Sequence, residues 1–545
     1  MSTLGQRFSR WMQSRTLKGL TPGPYDITIR KDLRVPMDDG VELLADLITP
    51  IGETDPRLPT IVMRGPYGRR GLVAGEARAL AREGFPVLFQ SCRGTWGSGG
   101  VFTPQVDEQR DGLATHRWVR EQQWFTGTVA TFGASYMGYT QWAVAADPEL
   151  APDALCLLVT MPDFGAITWD NGAFALRNAL GWTQMMDRMI RRDMLPLGLA
   201  MIRPDPKLGR AFGVLPLSDG DTAATGRTIH WYQDWVGHER LTDEYWTQQS
   251  HTASVPGVTA PVNMITGWYD IFLPWQLRNH AQLAAAGRAP RLTIGAWGHT
   301  SRDMGGVAVG EAVAFLKEQF AEIPSGRTAL VRAYRTGEEA WHDLPAWPPP
   351  GVAAEAWNLH VDGRLSPEAT AGGVTAYVYD PADPTPAVGG PSLLPNSGPV
   401  DNAAHESRAD VTVFRGEVLA EPVTVAGEPV ARILFRSSQP SADVFVRICD
   451  VHPDGRSMTV CDGIRRVAAG EGFHEVTVSL WPTFHRFEAG HRISVQVSSG
   501  AHPRYARNPG SGSPAFEAAT LHRAEQEISH DEFRPSFLEL PVWAG

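Results

Sequence analysis

The feature that most constrains this chain is a change of hydrophobic period after Leu58-Pro59, where short unbroken apolar runs begin to alternate with segments of helical spacing. The apolar runs predict strands at Thr60–Arg64, Pro86–Gln90, Thr128–Phe132, Ala154–Val159, Val262–Thr266 and Leu292–Ile294. The intervening segments predict helices at Ala74–Glu83, Asp107–Glu121, Met137–Ala146, Trp275–Ala286 and Gly310–Phe320. Strands without polar alternation are buried on both faces, which calls for a parallel sheet covered by crossover helices. Ahead of them, Ile27 to Pro50 alternates around a turn at Asp38-Asp39-Gly40 and reads as an antiparallel edge meander.

The rhythm stops between Asp163 and Pro256, where the chain is helical and rich in tryptophan and methionine. An insertion at that point lies over the carboxyl ends of the strands, where ligands bind. Residues 163–256 are therefore expected to cap a catalytic domain built from 1–162 and 257–347. At Trp347-Pro348-Pro349-Pro350-Gly351 consecutive prolines end any helix or central strand and form a linker. Beyond it only short alternating segments recur, at Ala431–Arg436, Val444–Asp450, Glu475–Trp481, Arg492–Ser498 and Phe537–Trp543. They predict an all-β sandwich of jelly-roll type over 352–545.

Composition narrows the function classes. A net charge of −11 without a compensating basic cluster argues against a nucleic-acid partner. Cys92, Cys156, Cys449 and Cys461 lack C-x-x-C spacing and read as buried thiols, and no His/Asp/Glu group has metal-ligand spacing, so neither metal nor organic cofactor is expected. No apolar run is long enough for a transmembrane segment, and the basic segment Met1–Tyr25 lacks the apolar core of a secretory signal. The expectation is a cytoplasmic protein whose first segment packs on its own domain. An exposed sandwich face leaves a homodimer open.

The chemistry centres on Thr128–Tyr139, a strand that breaks at Gly133 and restarts as a helix with Ser135 on the break. Small residues at such a turn expose a serine hydroxyl at the helix start, the geometry of a nucleophile elbow. Met137 departs from G-x-S-x-G, with the second glycine one residue later at Gly138. Two loops past strand ends carry partners: Asp270 in Gly267-Trp-Tyr-Asp270, and His299 in Ala296-Trp-Gly-His299. The order Ser135, Asp270, His299 is that of the α/β-hydrolase architecture. His299 serves as base and Asp270 fixes its tautomer. His280 is the competing histidine and Asp163 the competing acid. Oxyanion donors are expected from the Tyr136 amide and the Tyr67 hydroxyl, the latter held in the turn Arg64-Gly-Pro-Tyr-Gly68. The glycine-rich loop Arg93–Gly100 lacks the Walker lysine and reads as a structural turn beside the site.

The segments Arg64-Gly-Pro-Tyr67, Gly133-Ala-Ser-Tyr-Met-Gly138-Tyr-Thr-Gln-Trp142, Gly267-Trp-Tyr-Asp270, Gly295-Ala-Trp-Gly-His299 and Gly490–Ser499 together resemble the cocaine esterase/NonD family. That family is related to X-Pro dipeptidyl-peptidases and α-amino acid ester hydrolases. The resemblance runs in matching order from about Val35 to Val542. It implies an α/β-hydrolase domain with a helical cap and a carboxy-terminal jelly roll, the Ser135/Asp270/His299 triad, and Tyr67 with Tyr136 as oxyanion hole. It also implies an aromatic acyl pocket, for which Trp169, Trp182 and Phe272 stand in similar contexts, and it makes Asp170 a candidate for holding a substrate ammonium. The expected function is hydrolysis of a small-molecule ester or amide through an acyl-enzyme on Ser135. The alternatives are a peptidase or β-lactam acylase with the same triad, and a catalytically silent binding protein.

Overall fold

The computed structural model describes residues 15, 17–193, 205–393, 397–470 and 472–545, so most of the basic segment at Met1–Tyr25 lies outside the described residues. β1 (Ile27–Pro36) and β2 (Glu42–Pro50) form an antiparallel edge pair, and β2 joins the rest through β4. β3 (Thr60–Gly65), β4 (Val87–Ser91), β5 (Val129–Ala134) and β6 (Ala154–Leu158) then run parallel. After a two-stranded ribbon in the cap, β7 (Trp169–Asp170) and β8 (Ala173–Phe174), the sheet resumes with β9 (Val262–Tyr269) and β10 (Arg291–Gly298). β11 (Val331–Arg335) and β12 (Ala340–Leu344) complete a ten-stranded sheet of order β1-β2-β4-β3-β5-β6-β9-β10-β11-β12. β3, β4, β5, β6 and β9 are almost wholly buried, as their unbroken apolar runs require.

Within the ten-stranded sheet and its helices, a hairpin and one helix depart most from the sequence expectation. The β11–β12 hairpin carries polar residues at alternate positions because it forms the sheet's half-exposed edge, which hides it among loop residues. The last helix runs Arg302–Ala321 and starts well before Gly310. Gly305 and Gly306 disguise its first turn; a Cβ on Gly306 would stand 1.9 Å from the Lys18 carbonyl oxygen, so the glycine is where the amino-terminal segment crosses the helix.

Among the described residues the cap between β6 and β9 is mostly short helices, the longest Leu176–Ile190. The carboxy-terminal part is a two-sheet sandwich. β16 (Val411–Arg415), β19 (Ser441–Val451), β20 (Ser457–Ala468) and β23 (Arg492–Ser498) make one sheet. The other contains β13 (Val352–Leu359), β14 (Leu365–Ser366), β15 (Val374–Tyr379), β17 (Val423–Gly427), β18 (Val430–Ser437), β21 (His474–Ser479), β22 (Thr483–Phe487), β24 (Ala524–Ser529) and β25 (Phe537–Trp543). The prolines after Trp347 do not mark a gap between bodies. Trp347 is buried against Trp268 at 5.1 Å and Phe484 at 5.8 Å, and one apolar core runs from β6 and β9 into the sandwich. The sandwich also holds the cap: Arg466 N donates to Asn171 O at 3.0 Å, and Ala506 N to Phe174 O at 2.8 Å. Among the described residues no helix is long and apolar enough to cross a membrane, and all four cysteines are buried and unpaired.

Candidate active site

A single residue, Ser135, separates β5 from the helix Tyr136–Trp142. Its backbone sits at φ 60° and ψ −123°, where an L-residue is held at a cost of about 1–3 kcal/mol. The surroundings enforce it. Ser135 N donates to Leu158 O at 2.9 Å, Thr160 Oγ1 donates to Ser135 O at 2.7 Å, and Thr160 N is anchored on Gln276 Oε1 at 3.1 Å. Met137 takes the place of the motif's second glycine because its neighbours have given up their side chains. A Cβ on Gly133 would lie 2.4 Å from Met137 Cβ, and one on Gly65 in β3 would lie 2.5 Å from Met137 Cγ. Gly138 is needed where the helix passes Thr160, 2.4 Å from where a Cβ would be.

Asp270 and His299 follow β9 and β10, which are neighbours in the sheet, and their side chains meet: His299 Nδ1 is 2.7 Å from Asp270 Oδ2. The other carboxylate oxygen accepts from Phe272 N at 2.8 Å, and Asp270 is fully buried. The Phe272 ring packs edge-on against His299 at 5.3 Å. The competing residues are used elsewhere. Asp163 caps the helix Phe164–Thr168, accepting from Gly165 N and Ala166 N at 2.9 and 3.3 Å and from Ser250 Oγ at 2.8 Å. His280 is buried within the helix Leu273–Ala285, and burial pushes its pKa down to about 4.

Tyr67 lies beside the elbow. Its hydroxyl accepts from Trp182 Nε1 at 3.2 Å. Burial pushes the phenol up to about 12, so it keeps its proton as a donor. The glycine-rich loop Arg93–Gly100 braces this turn: Trp96 Nε1 donates to Pro66 O at 3.0 Å, and Arg93 pairs with Asp111 at 2.6 Å and Asp39 at 2.9 Å. Tyr136 contributes the first helical N–H, a group that a helix leaves without an internal acceptor. Its ring stacks on Trp182 at 6.1 Å, and its hydroxyl donates to Glu108 Oε1 and accepts from Gln105 N, both at 2.8 Å. Glu108 is itself buried against Arg64 at 3.1 Å.

Ser135, Trp182 and Phe272 line one narrow cavity of about 40 Å³ with Phe164, Ile167, Trp235 and Ile271. Trp169 is not on its wall. The Trp169 indole donates to Trp235 O at 2.9 Å, and the residue borders a separate crevice of about 520 Å³ between cap and sandwich. Asp170 is buried beside it and accepts from the Tyr505 hydroxyl at 2.6 Å. Gln105, Asn178 and Leu393 are among the lining residues that carried no sequence signal. Leu393 comes from the sandwich, and its N–H donates to Asn178 Oδ1 at 3.2 Å, so this wall exists only once the domains have docked.

Comparison with known proteins agrees with this architecture. Residues 39–301 match the X-Pro dipeptidyl-peptidase (S15) family, and residues 326–539 match the X-Pro dipeptidyl-peptidase C-terminal non-catalytic domain. The cocaine esterase of Rhodococcus sp. (strain MB1 Bresler) is 32% identical, the alignment covering 96% of this chain and all of that protein. Two solved structures share the fold with a TM-score of 0.80: an aminopeptidase from a marine sediment Thaumarchaeota archaeon (24% identical, covering 97% of this chain and 98% of the other) and an α-amino acid ester hydrolase (22% identical, 95% and 97%).

Proposed function

From the premise that this chain belongs to the cocaine esterase/NonD family and is a serine esterase of the α/β-hydrolase superfamily, we propose that it cleaves carboxylic esters with uncharged, apolar acyl groups through an acyl-enzyme on Ser135. The observation that carries the reading is the 2.7 Å contact of His299 with a fully buried Asp270, made beside Phe272 on the wall of the cavity that Ser135 lines. Asp270 holds the proton on Nδ1 and leaves Nε2 to accept the Ser135 proton as Oγ attacks the ester carbonyl. The negative charge on the carbonyl oxygen is met by the Tyr136 N–H, at the positive end of its helix, and by the Tyr67 hydroxyl. The imidazolium then protonates the leaving alcohol, and water repeats the sequence to release the acid.

The acyl preference follows from the lining. Among the described residues its polar side chains are Gln105, Ser135, Thr168 and Asn178, with no carboxylate. A substrate ammonium would enter unpaired, and an unpaired buried charge is strongly unfavourable. Asp163 and Asp170, the two acids that the sequence analysis offered as candidates, are engaged as a helix cap and with Tyr505. Esters of neutral acids therefore fit the site better than peptides with a free amino terminus.

The deciding experiment is intact-mass analysis after fluorophosphonate treatment, wild type beside Ser135→Ala, followed by turnover of p-nitrophenyl esters of graded acyl length. One adduct on the wild type and none on the variant is expected. Equal labelling of both, or none on either, rejects Ser135 as the nucleophile.

A further inference from the structure

At the end of the sandwich remote from the cap, three side chains far apart in sequence converge. Asp450 lies at the end of β19, His452 stands in the turn after it, and His491 immediately precedes β23. One potential ligand atom from each lies within 4.8 Å of the other two, and among the described residues this is the one such group. His491 Nδ1 is 2.8 Å from Asp450 Oδ1, and His452 Nε2 is 3.7 Å from Asp450 Oδ2. Zinc holds imidazole nitrogen and carboxylate oxygen at about 2.1 Å, which sets tetrahedral ligand atoms roughly 3.4 Å apart. The two imidazoles thus flank the two oxygens of one carboxylate at separations near that spacing.

The surroundings suit a bound cation. Asp450 is 3% exposed, and Oδ2 is also 3.2 Å from His485 Nε2, whose Nδ1 is 2.8 Å from Thr336 Oγ1. Such outer hydrogen bonds are what orient a ligating carboxylate. The two histidines are part-exposed, with ring centroids 4.4 Å apart, so an ion can reach them from solvent. The nearby Arg456 has its Nη2 3.5 Å from His452 Nδ1; it is exposed and paired with Asp454 at 2.7 Å, on the opposite ring nitrogen from the one that faces Asp450.

We propose that Asp450, His452 and His491 bind a divalent cation of the zinc class, with two imidazoles and one carboxylate from the protein and water in the fourth position. Two nitrogen donors favour zinc and its neighbours over magnesium or calcium, which take oxygen. On binding, His491 carries its proton on Nε2 and offers Nδ1 to the metal, exchanging a hydrogen bond for a coordinate bond. The ion ties the turn between β19 and β20 to the turn between β22 and β23. Asp443, seven residues earlier on β19, pairs at 2.7 Å with Arg466, whose N–H reaches the cap. At about 3.3 Å per residue the metal site is roughly 23 Å further along, so it stabilises the sandwich and takes no part in ester cleavage.

The test uses the full chain, treated with chelator and then titrated with ZnCl2 by calorimetry with bound zinc counted by elemental analysis. Wild type is compared with His452→Ala and, independently, His491→Gln. Expected are one fewer zinc per chain in each variant, a zinc-dependent rise in melting temperature confined to the wild type, and equal p-nitrophenyl ester turnover by all three zinc-free proteins. The subtraction removes zinc held by other histidines, including His299. Equal zinc stoichiometry in wild type and variants, or a melting-temperature rise that survives both substitutions, overturns the proposal.

Discussion

Removing the hydroxyl of Tyr67 tests the oxyanion site with the smallest change of shape. Tyr67→Phe keeps the ring in its turn, still braced by the bond from Trp96 Nε1 to Pro66 O, and deletes one donor. The proposed oxyanion hole has two donors, the Tyr136 amide and this hydroxyl, so the variant retains one. Loss of one oxyanion donor costs about 2.7–4 kcal/mol of transition-state stabilisation, and kcat should fall by about 10²–10³. KM should change little, because the donor is aimed at charge that develops only in the transition state. A separate structural cost arises because Trp182 Nε1, which donates to Tyr67 at 3.2 Å, loses its acceptor; an unsatisfied buried donor costs about 1–3 kcal/mol. The assay is steady-state turnover of p-nitrophenyl esters beside thermal unfolding of the same preparation. A kcat within about threefold of wild type would remove Tyr67 from the oxyanion hole, and a rise in KM alone would make it a binding residue.

Asp270→Asn leaves the Phe272 N–H satisfied but favours the wrong tautomer of His299; kcat should fall by about 10⁴ with the melting temperature little changed, and a loss below tenfold would contradict the assigned role. Leu393→Ala opens the wall contributed by the sandwich, and the ratio of kcat/KM for longer over shorter acyl chains should rise by roughly tenfold or more per methylene that newly fits. Burial lowers the His116 pKa to about 4, below its unfolded value near 6.5, while its Nδ1 donates to Leu150 O at 2.8 Å. The unfolded chain therefore binds the extra proton between those values, and stability should fall as pH drops from about 6.5 to 4, by up to about 3 kcal/mol from this residue. Urea unfolding across that range should show a shallower loss in His116→Asn, and an unchanged slope would exclude this group as the source.

The elements that local pattern specifies were legible from residues alone. The strands Thr60–Arg64 and Val262–Thr266 and the helix Asp107–Glu121 lie within a few residues of their structural bounds, because burial on both faces leaves no freedom in which residue types a central strand can carry. Ser135, Asp270 and His299 are proposed for a related reason: a parallel sheet gathers the loops past its strand ends, so chain order restricts which side chains can meet, and the last two are in contact. The β11–β12 hairpin was not legible, since an edge needs only half the apolar positions.

What belongs to the sequence by itself is the order of elements, the break at Ser135, and the family to which these segments point. Only the tertiary structure decided how separated segments share space. It set Asp163 to capping, turned Trp169 to the crevice while leaving Trp182 on the cavity wall, and brought Leu393 from the sandwich to that wall. It also joined Asp450 and His452 to His491 across two turns. Strands and helices follow from bonds and burial repeated over a few residues, whereas a cavity or ligand cluster depends on docking angles between domains, which no short stretch of chain encodes.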